Sequence, residues 1–130
     1  MTKKGFTLIE ILIVVTLIGI LVAILVPQYK YSVLRAKEAV LKENLFQMRD
    51  AINKYDFDKK KYPAALEDLV TGRYLREIPL DPINKTREWH LVMAEPLEGE
   101  EPDPDALQGI IDVRSLSQAT ALDGTPYAEW

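Results

Sequence analysis

The sequence predicts an α+β chain: a long N-terminal α-helix, transmembrane over its first half, packed on a small C-terminal antiparallel β-sheet. Three observations carry this. Residues 6–26 form a nearly unbroken apolar run, and apolar residues then recur at helical spacing to about Phe57. Two short strand-like runs follow, Trp89 to Met93 and Gly109 to Val113, set among prolines, glycines and acids. With 130 residues the chain has room for one such domain and a membrane segment, but not for a two-domain enzyme.

The chain opens on Met1-Thr2-Lys3-Lys4-Gly5, short and basic, followed at once by Phe6-Thr7-Leu8-Ile9-Glu10 and an apolar run from Ile11 to Val26. An ordinary secretory signal puts a small-residue cleavage site after its apolar region. Here the run ends in Val26-Pro27-Gln28-Tyr29 instead. From Phe6 to Val26, at about 1.5 Å per residue, a helix reaches roughly 30 Å, the thickness of a bilayer core. Glu10 is the one obstacle. About sixteen apolar residues at roughly −0.5 kcal/mol each outweigh a carboxylate penalty of about +3 kcal/mol, so insertion survives it.

An ionisable residue inside a spanning segment is a functional hypothesis whose partner has to be named. A cut after Gly5 would create an amino group on Phe6, one helical turn from Glu10, and a neighbouring subunit in register would offer its own. The alternative is a glutamate that snorkels to the headgroups.

Lys3-Lys4-Gly5-Phe6-Thr7-Leu8-Ile9-Glu10 resembles the prepilin peptidase recognition sequence of type IV pilins and type II secretion pseudopilins. The resemblance implies cleavage between Gly5 and Phe6, N-methylation of Phe6, and a role for Glu10 in assembly. It also implies a pilin-like fold divided into a cleaved leader (1–5), a transmembrane assembly half of the long helix (6–28), an amphipathic half (29–57) and a globular domain (58–130). Orientation rests on the same resemblance, because Lys30, Arg35 and Lys37 beyond the span outnumber Lys3 and Lys4 before it.

Past the span, Tyr29, Val33, Leu34, Leu41, Leu45, Met48, Ile52 and Tyr55 place an apolar stripe on one helix face, with Lys37, Glu38, Lys42, Glu43, Arg49 and Asn53 assigned to the other. The stripe suits packing of the C-terminal domain; a short coiled-coil seam is the alternative. Gly19 weakens the helix and Pro27 removes a backbone donor from it. Relatives carry a glycine and a proline at these positions, which implies a place where the helix can unwind in a filament; a gentle kink with no mechanical role is the other reading.

In the globular part, Pro63 fits the first turn of a short helix through Val70 that Gly72 stops. Ile78-Pro79-Leu80-Asp81-Pro82 reads as a rigid loop. A third strand is possible near Thr125 to Trp130. Tyr62-Pro63, the Leu66 to Leu69 helix, Pro79-Leu80-Asp81-Pro82, Ile111 to Ser115 and the Asp123 to Trp130 ending resemble the G-type major pseudopilins of type II secretion. The chain departs from them at Ile83-Asn84-Lys85-Thr86 and at Leu116 to Thr120, where the family has a glycine- and aspartate-rich loop.

That family binds calcium in the C-terminal loop. Calcium takes about six to eight oxygens, several of them carboxylate. The matching stretch offers only Asp123, with Ser115, Ser117 and carbonyls; packing in place of the ion is the alternative. The acids from Glu95 to Asp105, among prolines and without EF-hand spacing, read as a solvated loop. Cysteine is absent, which excludes disulfides and thiolate sites. Ser115, His90 and Asp112 can be written as a triad, but no nucleophile elbow accompanies them, and no enzyme is expected. A net charge of −4, becoming −6 without Lys3 and Lys4, argues against a nucleic-acid partner.

The functional expectation is a structural subunit of a helical pseudopilus of the type II secretion system. It would be a single-pass inner-membrane protein with a periplasmic domain, and a periplasmic filament once assembled. The resemblance implies as partners further copies of the chain, minor pseudopilins, the prepilin peptidase and an inner-membrane assembly platform. Alternatives are a type IV pilin, a minor pseudopilin, or a monomeric membrane-anchored binding module. The last would keep a conventionally processed or uncut N-terminus.

Overall fold

The structure, a computed structural model, describes residues 2–95 and 109–130. Its elements in chain order are α1 (Leu8–Lys59), α2 (Leu66–Thr71), β1 (His90–Met93), β2 (Ile110–Arg114) and a 3-10 turn at Tyr127–Glu129. Two compact units divide the chain, residues 1–35 and 36–130. The acidic stretch after Glu95 lies outside the described residues.

In the first unit the helix stays α-helical through Gly19 and Pro27. Proline has no N–H, so the carbonyl one turn earlier loses its donor without ending the helix. Thr16 Oγ1 donates to the Leu12 carbonyl at 2.7 Å and Ser32 Oγ to the Gln28 carbonyl at 3.0 Å, so both hydroxyls find partners on their own helix.

In the second unit the stripe is realised as a core. Leu41, Leu45, Met48, Ala51 and Ile52 of α1 are buried with Leu66, Leu69, Trp89, Ile110, Val113, Ala121 and Tyr127. The polar face departs from expectation at two positions. Glu38 is buried, and Arg49 turns inward to donate to Asp112 Oδ1 at 2.6 Å and to the carbonyls of Val113 and Trp130 at 3.0 and 2.9 Å. Leu34, Glu38, Leu41, Leu45 follow steps of four, three and four, so Glu38 occupies a stripe position with a carboxylate.

Helix α2 begins later than expected. Pro63 precedes it, buried, with its carbonyl accepting the Ile110 N–H at 2.8 Å. Its start is fixed by Asp68, which reaches back to the N–H groups of Ala64 and Ala65 at 3.0 and 3.1 Å. Gly72 closes it as expected, its N–H donating to the Asp68 carbonyl. The sheet has two antiparallel strands, with His90 opposite Arg114, Leu91 opposite Val113 and a bulge between Val92 and Met93. No strand forms from Thr125 to Trp130: a single bridge joins Thr120 to Pro126, and the 3-10 turn follows. Pro126 has no N–H with which to extend a ladder.

Gly109 leads into β2 against Tyr62. A methyl group there would collide with the Tyr62 Cβ, and this close approach is what requires glycine.

Candidate functional site

The head of α1 is built by its own sequence. Thr7 sits immediately before the first helical residue and Glu10 three positions on, the spacing of a capping box. The Glu10 N–H donates to Thr7 Oγ1 at 3.3 Å, and the Thr7 N–H points to Glu10 Oε2 at 3.5 Å. The reciprocal pair satisfies two of the amides that a helix start leaves open, and the carboxylate lies at the positive end of the helix dipole. Sequence reasoning singled out Glu10 for its charge and overlooked Thr7, although a threonine three residues before a glutamate is the readable sign of this cap. Phe6 precedes the cap and Gly5 precedes Phe6, both outside the helix.

Behind the cap, apolar side chains point outward all round. Phe6 is 81% exposed and Val26 47%, with every large apolar residue between them also exposed. α1 is long and apolar enough to cross a membrane. A bare apolar helix of this length in water would be unstable as a surface, so it belongs in lipid or among other helices. Gly19 has open space where a side chain would stand.

The C-terminal candidates do not converge as ion ligands. Ser115 and Ser117 are buried and Asp123 is exposed. The Ser115 hydroxyl donates to Asp81 Oδ2 at 2.7 Å while its oxygen accepts the Ser117 N–H at 3.1 Å; Ser117 Oγ accepts the Ala119 N–H at 3.3 Å. Asp123 Oδ1 accepts the N–H and the hydroxyl of Thr125 at 2.9 and 2.6 Å, which lowers its pKa. Among the described residues no group of three or more His, Cys, Asp or Glu is placed to hold a metal. The residues present therefore do not fit calcium at this position.

Nor do the triad residues act together. Ser115 is bonded to Asp81, Asp112 to Arg49, and His90 is exposed at the edge of β1. The cleft beside Trp130, about 360 Å³ and lined by Lys42, Leu45, Phe46, Arg49 and Asp123, is open to solvent. It gathers no nucleophile and base.

The prokaryotic N-terminal methylation motif matches residues 1–26. The type II secretion system core protein G of Pseudomonas aeruginosa is 38% identical over 96 residues, covering 62% of this chain and 68% of that protein. The core protein G of Klebsiella pneumoniae is 28% identical over 96 residues, 62% of this chain and 69% of its own. A type IV major fimbrial protein, FimA, of Dichelobacter nodosus is 48% identical over 59 residues, but these are 45% of this chain and 37% of the fimbrial protein. No solved structure matches the chain significantly.

Proposed function

This chain belongs to the family of type II secretion system core protein G, the major pseudopilins related to type IV pilins, and we propose that it is stored in the inner membrane and polymerises through α1 into a periplasmic pseudopilus. Pseudopilins are structural proteins and not enzymes. The observation that carries the assembly reading is a carboxylate, Glu10, in the first turn of a helix whose large apolar side chains up to Val26 are all exposed among the described residues.

The steps follow from the energetics. Before processing, Lys3 and Lys4 hold the leader in water and Glu10 stays close to the membrane edge. Cleavage between Gly5 and Phe6 removes both lysines and leaves an amino group on Phe6, which methylation keeps basic. In hydrocarbon, an uncompensated carboxylate and ammonium are each unfavourable; brought together between neighbouring subunits they offset one another. Docking is thereby favoured in one register.

The apolar segments of residues 6–26 exchange lipid for neighbouring helices, with Gly19 allowing close approach and Pro27 leaving a backbone carbonyl free for local unwinding. Each subunit uses one surface against a different surface of the next, the arrangement that generates an open helix. The prepilin peptidase, minor pseudopilins and an inner-membrane platform would be partners in this process. Calcium has no role in this reading at Ser115, Ser117 and Asp123, whose oxygens already accept hydrogen bonds from the segment itself.

Mass spectrometry of protein purified from peptidase-containing cells, together with electron microscopy of sheared filaments, tests the reading. A mature chain starting at methylated Phe6 and recovered in filaments is expected. A chain that retains the residues up to Gly5 and stays monomeric would overturn it in favour of a membrane-anchored module.

A further inference from the structure

The segment after β2, residues 115–130, has little regular structure: one bridge and one 3-10 turn. It is nevertheless tied down from outside by two buried carboxylates. Glu38 of α1, 9% exposed, accepts the Leu122 N–H and the Tyr127 hydroxyl on Oε1, both at 2.8 Å. Asp81, fully buried, accepts the Ser115 hydroxyl on Oδ2 at 2.7 Å and the N–H groups of Ile83 and Asn84 on Oδ1 at 2.8 and 3.2 Å. Among the described residues neither carboxylate forms an ion pair; the pairs are Arg49 with Asp112, Lys54 with Asp50, Arg87 with Glu77 and Arg114 with Asp112.

A buried carboxylate without a cation is tolerated when several hydrogen-bond donors face it, and both sites meet that condition. The donors are neutral and come from the segment itself or from the Asp81 loop. Ser115 is the link: it donates to Asp81 and accepts from Ser117, whose own oxygen accepts from Ala119. Burial first, and then Glu38, raise the Tyr127 hydroxyl to a pKa of about 12, which keeps it a donor. A divalent cation would instead need oxygens with free lone pairs converging on one point.

We propose that in this chain Glu38 and Asp81 close the C-terminal segment by hydrogen bonds, in place of a bound divalent cation, so that the fold is independent of calcium. The proposal goes beyond the filament reading. Its test uses the unassembled subunit, so its outcome does not depend on polymerisation.

The full-length chain in detergent micelles is dialysed to equilibrium against calcium, and its thermal midpoint is followed by Trp89 and Trp130 fluorescence in calcium and in chelator. No saturable calcium uptake and an unchanged midpoint are expected. One ion bound per chain, or a midpoint several degrees higher in calcium, would overturn the proposal. Glu38→Gln and Ser115→Ala are expected to lower the midpoint by several degrees, equally with and without calcium. Variants as stable as the parent would overturn the assignment of the two carboxylates, and should a variant not fold, the calcium comparison on the parent chain decides alone.

Discussion

Thr7 and Glu10 hold each other at the head of α1, each accepting the other's backbone N–H through its side chain. Glu10 therefore has two separable properties, a capping oxygen and a negative charge. Only the second can form an ion pair with an ammonium group.

The pair makes a clean substitution test. Glu10→Gln keeps the cap, since glutamine serves at the same position of a capping box, but removes the charge. Glu10→Ala removes both, weakening the helix start by about 0.3–1.5 kcal/mol. Both variants are expected to lose filament assembly and secretion to a similar extent in a complementation assay, with a change in amide exchange at the helix head only in Glu10→Ala. Normal assembly by Glu10→Gln would show that the cap, and not the charge, is what assembly needs.

Arg49 ties the helix to the end of the chain through one carboxylate and two carbonyls. The planar guanidinium meets three acceptors in a geometry that an ammonium cannot reproduce. Arg49→Met should destabilise the subunit by about 1.5–3 kcal/mol, and Arg49→Lys should restore only part of it. Chemical denaturation of the two variants measures this. Full recovery in Arg49→Lys would reduce the contact to a simple charge pair.

Gly109→Ala places a methyl group against Tyr62, where both backbone and Cβ stand in the way. Gly124, at φ +88 in the turn that Ala121 and Thr125 close, has open space around it, so an alanine there meets only backbone strain. Gly109→Ala is expected to cost about 1–3 kcal/mol and Gly124→Ala about 1 kcal/mol. Equal losses in thermal unfolding would mean that the Tyr62 contact relaxes freely.

The long helix was legible because its signals are local: an uninterrupted apolar run, then Leu41, Leu45, Met48 and Ile52 at helical spacing. The capping box was equally local, but the charge of Glu10 drew the reading away from Thr7. The C-terminal segment was not legible, since its order comes from contacts far apart in sequence. Glu38 meets Leu122 and Tyr127, and Asp81 meets Ser115, with no spacing rule linking either set. The strand expected from Trp89 to Met93 was legible too and forms over His90–Met93, but Leu91 and Met93 remain exposed while Trp89, just outside the strand, is buried.

Tyr127 supplies a pH signature for the lock at Glu38. Its hydroxyl is pushed up to about 12, by burial first and then by the hydrogen bond and charge of Glu38. An unfolded tyrosine ionises near pH ~10. Below that pH both states hold the proton, and the contribution to stability is complete. Between about pH 10 and about 12 the unfolded chain gives up the proton while the folded chain keeps it, so stability falls as pH rises. Allowing for solvent screening, the loss is on the order of 1 kcal/mol. The other tyrosines titrate in the same range, so the measurement is a difference: thermal midpoints against pH for the parent chain and Tyr127→Phe. The parent should decline more steeply above about pH 10 and approach the variant. Parallel curves would mean that Glu38 and Tyr127 are not coupled in solution.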